Sequence, residues 1–317
     1  MRETIQNANG KQFHAVSLSG GKDSTAMLLL MIERDMPINM VLSADTGMEF
    51  PEMYEHLAKL DEHLFRERGI HITTLRHPKG FEYLMFDEPK QKPRSLENRA
   101  KLGIPPYGNG WPGIRVRWCT GQLKTHLIDK EVNRLKKEKN ALHYVGIAAD
   151  EPDRIKDEIY PLDVWGITEA EALQICYDRG FHWDGLYELY RRCSCWCCPF
   201  QRIDELRILR HHHPELWAKL RDLDERAIDQ FGHTPLGRFK DNWSVEQLEQ
   251  RFAAEDAKRK ETEMEKDKSE ELRDMFKGVP PKNVIIAVDD LPPKTLEQHL
   301  KERQTGQEKA QKRKKSR

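Results

Sequence analysis

Net charge is missing from this chain. Lysine plus arginine and aspartate plus glutamate number 53 each among 317 residues, so net charge predicts no partner, and any nucleic-acid affinity has to reside in local patches. Long apolar runs are missing too. No stretch approaches the length needed to span a bilayer, and Met1–Gln6 lacks the apolar segment of a secretory signal. A cytoplasmic protein with no membrane partner is expected. Hydrophobic residues are few, 38% against 33% charged, which leaves part of the chain outside a compact core. No internal repeat is found. Six cysteines are present, none after Cys198, and four of them fall in the hexapeptide Cys193–Cys198. That crowding suits neither an extracellular disulfide framework nor a random scatter; in a reducing cytosol it reads as a metal or cluster site.

The most informative string is Ser19-Gly20-Gly21-Lys22-Asp23-Ser24, between the apolar run Phe13–Leu18 and the amphipathic stretch Thr25–Ile32. Paired glycines let the backbone turn with no Cβ in the way, so that several N–H groups converge on an anion. The helix that follows directs its positive end at the same spot. Lys22 adds a cation, and Ser19 and Ser24 add hydroxyls. The spacing is not that of a Walker loop. The plain alternative is an ordinary glycine turn, but the complete string in this position resembles the pyrophosphate loop of the ATP-pyrophosphatase superfamily, whose members split ATP between the α- and β-phosphates.

Ile38–Leu42 reads as a second strand ending in Asp45-Thr46-Gly47, Pro51 opens a helix with Met53, Leu57, Leu60 and Leu64 on one face, and Ile70–Leu75 is a third strand. Alternating strands and helices predict an α/β fold, a doubly wound and mostly parallel sheet with ligands at the carboxyl ends of its strands. Regular periodicity stops between Lys90 and Trp118, where seven basic residues (Lys90, Lys92, Arg94, Arg99, Lys101, Arg115, Arg117) stand against one acidic residue, Glu97. A helix through Leu123 and Leu135 and a strand at Leu142–Ile147 follow. Thr168 and Glu171 have capping-box spacing, as do Ser244 and Gln247. The expected organisation is a pyrophosphate-loop domain at 1–165, a helical, cysteine-bearing extension at 166–242 and a charged C-terminal arm at 243–317. That arm holds a short apolar segment, Asn283–Val288, and a basic tail.

Four further strings, in order, resemble the phosphoadenosine-phosphosulfate reductase family: Asp45–Glu52, Trp118–Lys124, Gly146–Glu151 with Arg154, and Tyr160 to Pro199. The resemblance covers about the first 220 residues. It implies the adenine nucleotide alpha hydrolase-like fold and, for the reaction, either sulfonucleotide reduction or sulfur insertion into nucleic acid. Family reductases carry a catalytic cysteine near the C-terminus, which is missing here; they pair two cysteines where this chain has Trp118-Cys119; and Ala148 stands where the family commonly has arginine. The resemblance therefore leans toward the ATP-pyrophosphatases of DNA phosphorothioation and tRNA thiolation. Phosphoadenosine-phosphosulfate or adenosine-phosphosulfate reductase is the runner-up, and a nucleotide-binding regulatory subunit of a partner complex is the alternative from another class.

On this reading Lys22, Asp23 and Asp45 are catalytic. Ser19, Gly20, Gly21, Lys22, Asp23, Ser24, Asp45, Thr46, Gly47, Gly146 and Arg154 hold ATP, with Mg²⁺ bridging phosphate oxygens to Asp45 or Asp23. Cys119, Cys193, Cys195 and Cys198 hold an iron–sulfur cluster, or a structural Zn²⁺ in its place, and Cys197 can stand in for Cys193. Cys176 is a core residue. Trp111 and Trp118 flank the basic loop, either as core anchors or as surfaces for stacking bases. The expected partners are DNA or tRNA as acceptor, a sulfur donor such as a cysteine desulfurase, and operon partner subunits.

Overall fold

Short apolar runs that end in small or acidic residues form one sheet: β1 (His14–Ser17), β2 (Met40–Asp45), β3 (Ile72–Arg76) and β4 (Leu142–Val145). The computed structural model describes residues 12–113, 116–193, 195–240 and 243–275. All neighbouring strands are parallel, in the order β3-β2-β1-β4. Strand order reverses between β1 and β4, so the crevice beyond their C-terminal ends is the switch point at which open α/β sheets bind ligands. Alternation along the strands buries both faces. Val16 and Val41 join a core with α1 (Lys22–Glu33) and α2 (Pro51–Arg68), whereas Ala15 and Leu42 meet Val132 and Leu135 of the helix His126–Lys139. This is the α/β, doubly wound parallel sheet expected from the sequence. Every residue of α1 from Ser24 to Ile32 is buried, as befits a helix packed on all sides.

After β3 come α3 (Gly80–Phe86) and α4 (Pro93–Leu102). Periodicity is silent over α4 because the segment has almost nothing apolar to bury; Pro93 at its start and Gly103 in the left-handed conformation (φ 65°) bracket it instead. Arg99 is its buried side chain and donates to the carbonyls of Pro105 (2.6 Å), Tyr107 (2.8 Å) and Gly108 (2.5 Å). Lys90 is turned inward to Asn109 Oδ1 at 2.6 Å. Two of the seven basic residues of this segment are thus spent on internal carbonyl and amide oxygens, and Arg115 lies outside the described residues.

A one-turn α5 (Trp118–Thr120) continues through a π-helical turn, Gly121–Thr125, into α6 (His126–Lys139). Beyond β4 lie α7 (Pro161–Trp165), α8 (Glu169–Tyr177), α9 (Leu186–Leu189), α10 (Ile203–His212), α11 (Pro214–Phe231) and α12 (Val245–Met275). The Thr168–Glu171 capping box is formed as expected. Asp224 of α11, 1% exposed, accepts from Trp111 Nε1 (2.9 Å), from Phe239 N (2.8 Å) and from Val245 N (2.6 Å) at the start of α12. One carboxylate thereby fastens three separate segments. Burial pushes Asp224 up to about 6, against the pull of its three donors. Trp111 and Trp118, 2% and 6% exposed, are core residues and offer no face to a base.

The chain divides into two units, Met1–Glu255 and Asp256–Arg317. What is described of the second is the charged, mostly exposed end of α12. The Asn283–Val288 segment and the basic tail lie outside the described residues. Among the described residues no helix is long and apolar enough to cross a membrane.

Candidate active site

Gly20, at φ 77°, turns the chain out of β1 so that α1 begins at the sheet edge. The loop is held from three sides. Ser24 Oγ accepts from Ser19 N (3.1 Å) and donates to Gly21 O (3.1 Å). Trp183 Nε1 donates to Gly20 O (2.7 Å), and Lys22 N donates to Tyr187 Oη (2.8 Å). Trp183 and Asp184 both have positive φ, 48° and 46°, so strained backbone carries the indole that pins the loop. Gly146 permits the closest approach. A Cβ there would stand 2.6 Å from Ser24 Cα, so this residue, expected to touch nucleotide, lets the end of β4 pack on the start of α1.

Lys22 Nζ lies 2.5 Å from Glu169 Oε1 at the start of α8 and 3.1 Å from Asp23 Oδ1. Burial pulls its pKa down, but the two carboxylates outweigh that and hold it above the usual lysine value. Burial raises the Asp23 carboxyl, and Lys22 only partly offsets it. Asp23, Glu151 and Glu169 each offer an oxygen within 4.8 Å of the others. Arg154 donates to Glu151 at 2.5 Å and so borders this group, whereas Asp150 accepts from Glu169 N at 3.0 Å.

Asp45 is placed differently from its expected metal-binding role. The β2–β3 register sets it opposite Arg76, which donates to it from Nε (2.7 Å) and Nη2; Gly47 N (2.7 Å) and Tyr54 Oη (2.9 Å) complete its partners. Burial would raise the Asp45 carboxyl, but the Gly47 N–H, Arg76 and Tyr54 hold it below the ordinary range. Together with Ser19, Glu49 and Thr74 these residues line a cavity of about 280 Å³ at the ends of β1, β2 and β3.

A second cavity, about 260 Å³, backs onto the first. Cys119, Cys195, Cys197 and Cys198 line it, with Thr46, Lys124, Arg117 and Phe200. Cys195 Sγ lies 3.7 Å from Thr46 Oγ1 and 3.8 Å from Glu49 Oε1, and Glu49 in turn meets Lys124 Nζ at 3.2 Å. Burial pushes the Cys195 thiol up to about 12, with Lys124 pulling the other way. Cys119 and Lys124 come to the same wall through the π-helical turn that joins α5 to α6, a distortion frequent at functional sites. Cys193 lies elsewhere: its thiol faces Tyr187 and the Lys22 ammonium, beside the pyrophosphate loop. Cys197 completes the thiol wall in its stead. Cys176 is buried and donates to Lys22 O at 3.4 Å, a core residue as expected.

The structure therefore brings Ser19–Ser24, Asp45, Thr46, Gly47 and Arg154 to one sheet edge, with Cys119, Cys195 and Cys198 behind it. Sequence reasoning assigned no role to Glu49, Lys124, Tyr54, Arg76, Glu169, Trp183 or Tyr187. Glu49, Lys124, Glu169, Trp183 and Tyr187 stood inside the family-like strings; Tyr54 and Arg76 carry no local signal.

Residues 14–97, from β1 to within α4, match the phosphoadenosine phosphosulfate reductase domain. An uncharacterized protein of Methanocaldococcus jannaschii is 25% identical over 222 residues, 64% of this chain, and the chain spans only 40% of that relative's length. Among solved structures, the U34-tRNA thiolase NcsA of Methanococcus maripaludis with its [4Fe-4S] cluster is 17% identical, at a TM-score of 0.35, over 72% of this chain and 77% of that one. The matched residues 14–97 carry the Ser19–Ser24 loop and the Asp45 strand end, and it is over this quarter of the chain that the protein is similar to the phosphoadenosine phosphosulfate reductase domain.

Proposed function

We propose that the protein is an ATP-pyrophosphatase that adenylylates a nucleic-acid acceptor for sulfur transfer and holds an iron–sulfur cluster on Cys119, Cys195 and Cys198. One observation carries this reading: the nucleotide cavity and the thiol cavity share a wall built from residues 45–49, with Glu49 lining one and Thr46 and Cys195 the other. An acceptor atom activated on one side is within reach of sulfur chemistry on the other.

The thiols fit a cluster better than a zinc ion. Tetrahedral zinc at ~2.3 Å from each sulfur sets its ligands ~3.8 Å apart, yet among the described residues no three cysteine sulfurs lie within 4.8 Å of one another. The Lys124 ammonium beside Cys195 and Cys119 offsets the charge that several thiolates bring together. When bound, the cluster would supply sulfide or electrons at the acceptor. Asp23, Glu151 and Glu169 fit a hard cation, and Mg²⁺ there would neutralise the leaving pyrophosphate.

The chain's own residues do the rest. The start of α1 presents N–H groups and the Lys22 ammonium to the β- and γ-phosphates. Lys22 exchanges its partners Asp23 and Glu169 for phosphate oxygens. Arg76 and Tyr54, oriented by Asp45, face the nucleoside in the first cavity, so Asp45 acts by positioning them. The acceptor oxygen attacks the α-phosphorus as the bond to the bridging oxygen breaks, and pyrophosphate leaves with the electron pair. Hydrosulfide, released from an external donor such as a cysteine desulfurase persulfide by a thiol reductant, then attacks the activated centre as its bond to the adenylyl oxygen breaks, and AMP leaves with the electron pair.

The test combines ATP carrying labelled α- or γ-phosphate with the Mg²⁺-loaded protein, DNA or tRNA as acceptor and a sulfide source, followed by mass spectrometry of the acceptor. Pyrophosphate release that depends on acceptor, with sulfur in the product, is expected. Reduction of a sulfonucleotide to sulfite would return the protein to the reductases, and nucleotide binding without turnover on any acceptor would make it a regulatory subunit.

A further inference from the structure

Beyond the thiol cavity the surface continues into a second hollow of about 420 Å³, and the two share Pro112, Pro199 and Phe200. Nothing in the nucleotide chemistry accounts for it. Two aromatic side chains half open to solvent line it: Phe200, 41% exposed, which also borders the thiol cavity, and Trp243, 37% exposed, which does not. Arg117 stands with its guanidinium 5.0 Å over the Phe200 ring, and Arg238 lines the hollow together with both rings. Neither arginine has an ion-pair partner among the described residues. The two walls are joined in advance, because Lys240, bridged to Trp243, donates from Nζ to Pro199 O (2.8 Å) and Gln201 O (2.5 Å) in the segment carrying Phe200.

We infer that this hollow is a groove for single-stranded nucleic acid, which stacks unpaired bases on Phe200 and Trp243, holds phosphates with Arg117 and Arg238 and leads one nucleotide into the thiol cavity. The inference rests on the nucleic-acid reading of the acceptor given above and names the form that acceptor takes. Exposed aromatic rings beside guanidiniums without ion-pair partners are the combination that binds unstacked bases without regard to sequence. A duplex offers phosphates and base edges but no base faces, so it satisfies the arginines and leaves both rings bare. An enzyme that acts on a base has to receive it outside the stack, and the hollow opens onto the cavity in which the four thiols stand. Trp111 and Trp118, beside the basic loop, cannot do this because they are buried.

Fluorescence anisotropy with the full-length protein tests it, using labelled oligouridylate, oligothymidylate and a duplex of equal length across a salt series. Both single strands are expected to bind more tightly than the duplex. Phe200→Ala and Trp243→Ala should each weaken single-strand binding by about 5- to 150-fold with little change in salt slope, and Trp243→Phe should restore most of the loss. Arg117→Ala and Arg238→Ala should each reduce the slope of log affinity against log salt by about 0.7. Thermal unfolding and ATP binding at wild-type values establish that each variant is folded. Equal affinity for single strand and duplex, or unchanged affinity in both aromatic variants, overturns the groove. If acceptor-dependent pyrophosphate release survives that result, the proposed function stands without it. Stacking-dependent binding with no pyrophosphate release supports the groove and sinks the function.

Discussion

Replacing Gly146 by alanine tests the nucleotide half of the site through sterics alone. A Cβ at this position would lie 2.6 Å from Ser24 Cα, 2.8 Å from Ser24 N and 2.9 Å from the Asp23 carbonyl carbon. Non-bonded carbon atoms rest ~3.5–4.0 Å apart, so the end of β4 and the first turn of α1 must separate by about 1 Å. All three neighbours are backbone, and no flexible side chain can give way for them. Gly146 is not among the glycines with positive φ, so its conformation suits alanine and the penalty is crowding alone. Overpacking of this kind costs ~1–3 kcal/mol, which lowers the unfolding midpoint of a unit of this size by about 2–12 °C. Activity should fall further than stability, because a displacement of about 1 Å in positioning groups costs on the order of 100-fold in rate. Acceptor-dependent pyrophosphate release is therefore expected to drop by that factor, with weakened ATP binding, while iron and acid-labile sulfide per chain stay at wild-type levels. Gly121→Ala is the control: its φ is −63° and nothing lies within 4 Å of the added Cβ. Wild-type turnover and an unchanged melting temperature in Gly146→Ala would refute the packing argument.

Lys22→Met should cut pyrophosphate release by roughly 10²–10³-fold, the usual loss when a donor that stabilises developing charge is removed; undiminished turnover would take Lys22 out of the mechanism. Alanine at Cys119, Cys195 or Cys198 should abolish visible absorbance and iron binding in anaerobic preparations, and alanine at Cys176 or Cys193 should preserve both, so a colourless Cys193→Ala protein would contradict the placement of that thiol. Asp224 titrates near 6 when folded, against about 3.9 for an ordinary aspartate. The folded state therefore holds more protons than the unfolded one between roughly pH 4 and 6, and stability falls as pH rises through that window, by about 3 kcal/mol. Urea unfolding of wild type and Asp224→Asn across pH 4–7 should show this fall only in the wild type; parallel curves would mean that Asp224 does not carry it.

The fold was legible where burial is patterned. Phe13–Leu18, Ile38–Leu42 and Leu142–Ile147 are short apolar runs capped by turn residues, and each became a strand of the parallel sheet. The helix from Pro51 kept Met53, Leu60 and Leu64 on its buried face. The α4 helix was not legible, because its one buried side chain is an arginine, and a cation that satisfies three carbonyls leaves no mark on an apolar periodicity. The same fact misled the charge count of the basic loop: Arg99 and Lys90 are positive in composition but serve as internal hydrogen-bond donors, so the surface there is less basic than the sequence implies.

The site divided along the same line. Ser19–Ser24 and Asp45–Gly47 could be placed together because the carboxyl ends of neighbouring parallel strands meet by construction, and Asp45 faces Arg76 through register alone. Residues that reach the loop from the far side had no such rule to announce them. The spacing of Thr168 and Glu171 marks a helix start, yet nothing in it says that Glu169, in the same turn, meets Lys22 across 147 residues. The cysteines show the limit most sharply. Alternation along an extended chain would put Cys193 and Cys195 on one side, but alternation needs the backbone to stay extended. Here Trp196 N bonds Met48 O and Cys198 N bonds Cys195 O, so the segment docks on the end of the loop after β2 and then turns. That docking aims Cys195 at Thr46 and Glu49, leaves Cys193 at Tyr187 and swings Cys197 into the thiol wall. Which sulfurs share a cavity was decided by a tertiary hydrogen bond to residue 48, information that no spacing within the hexapeptide contains.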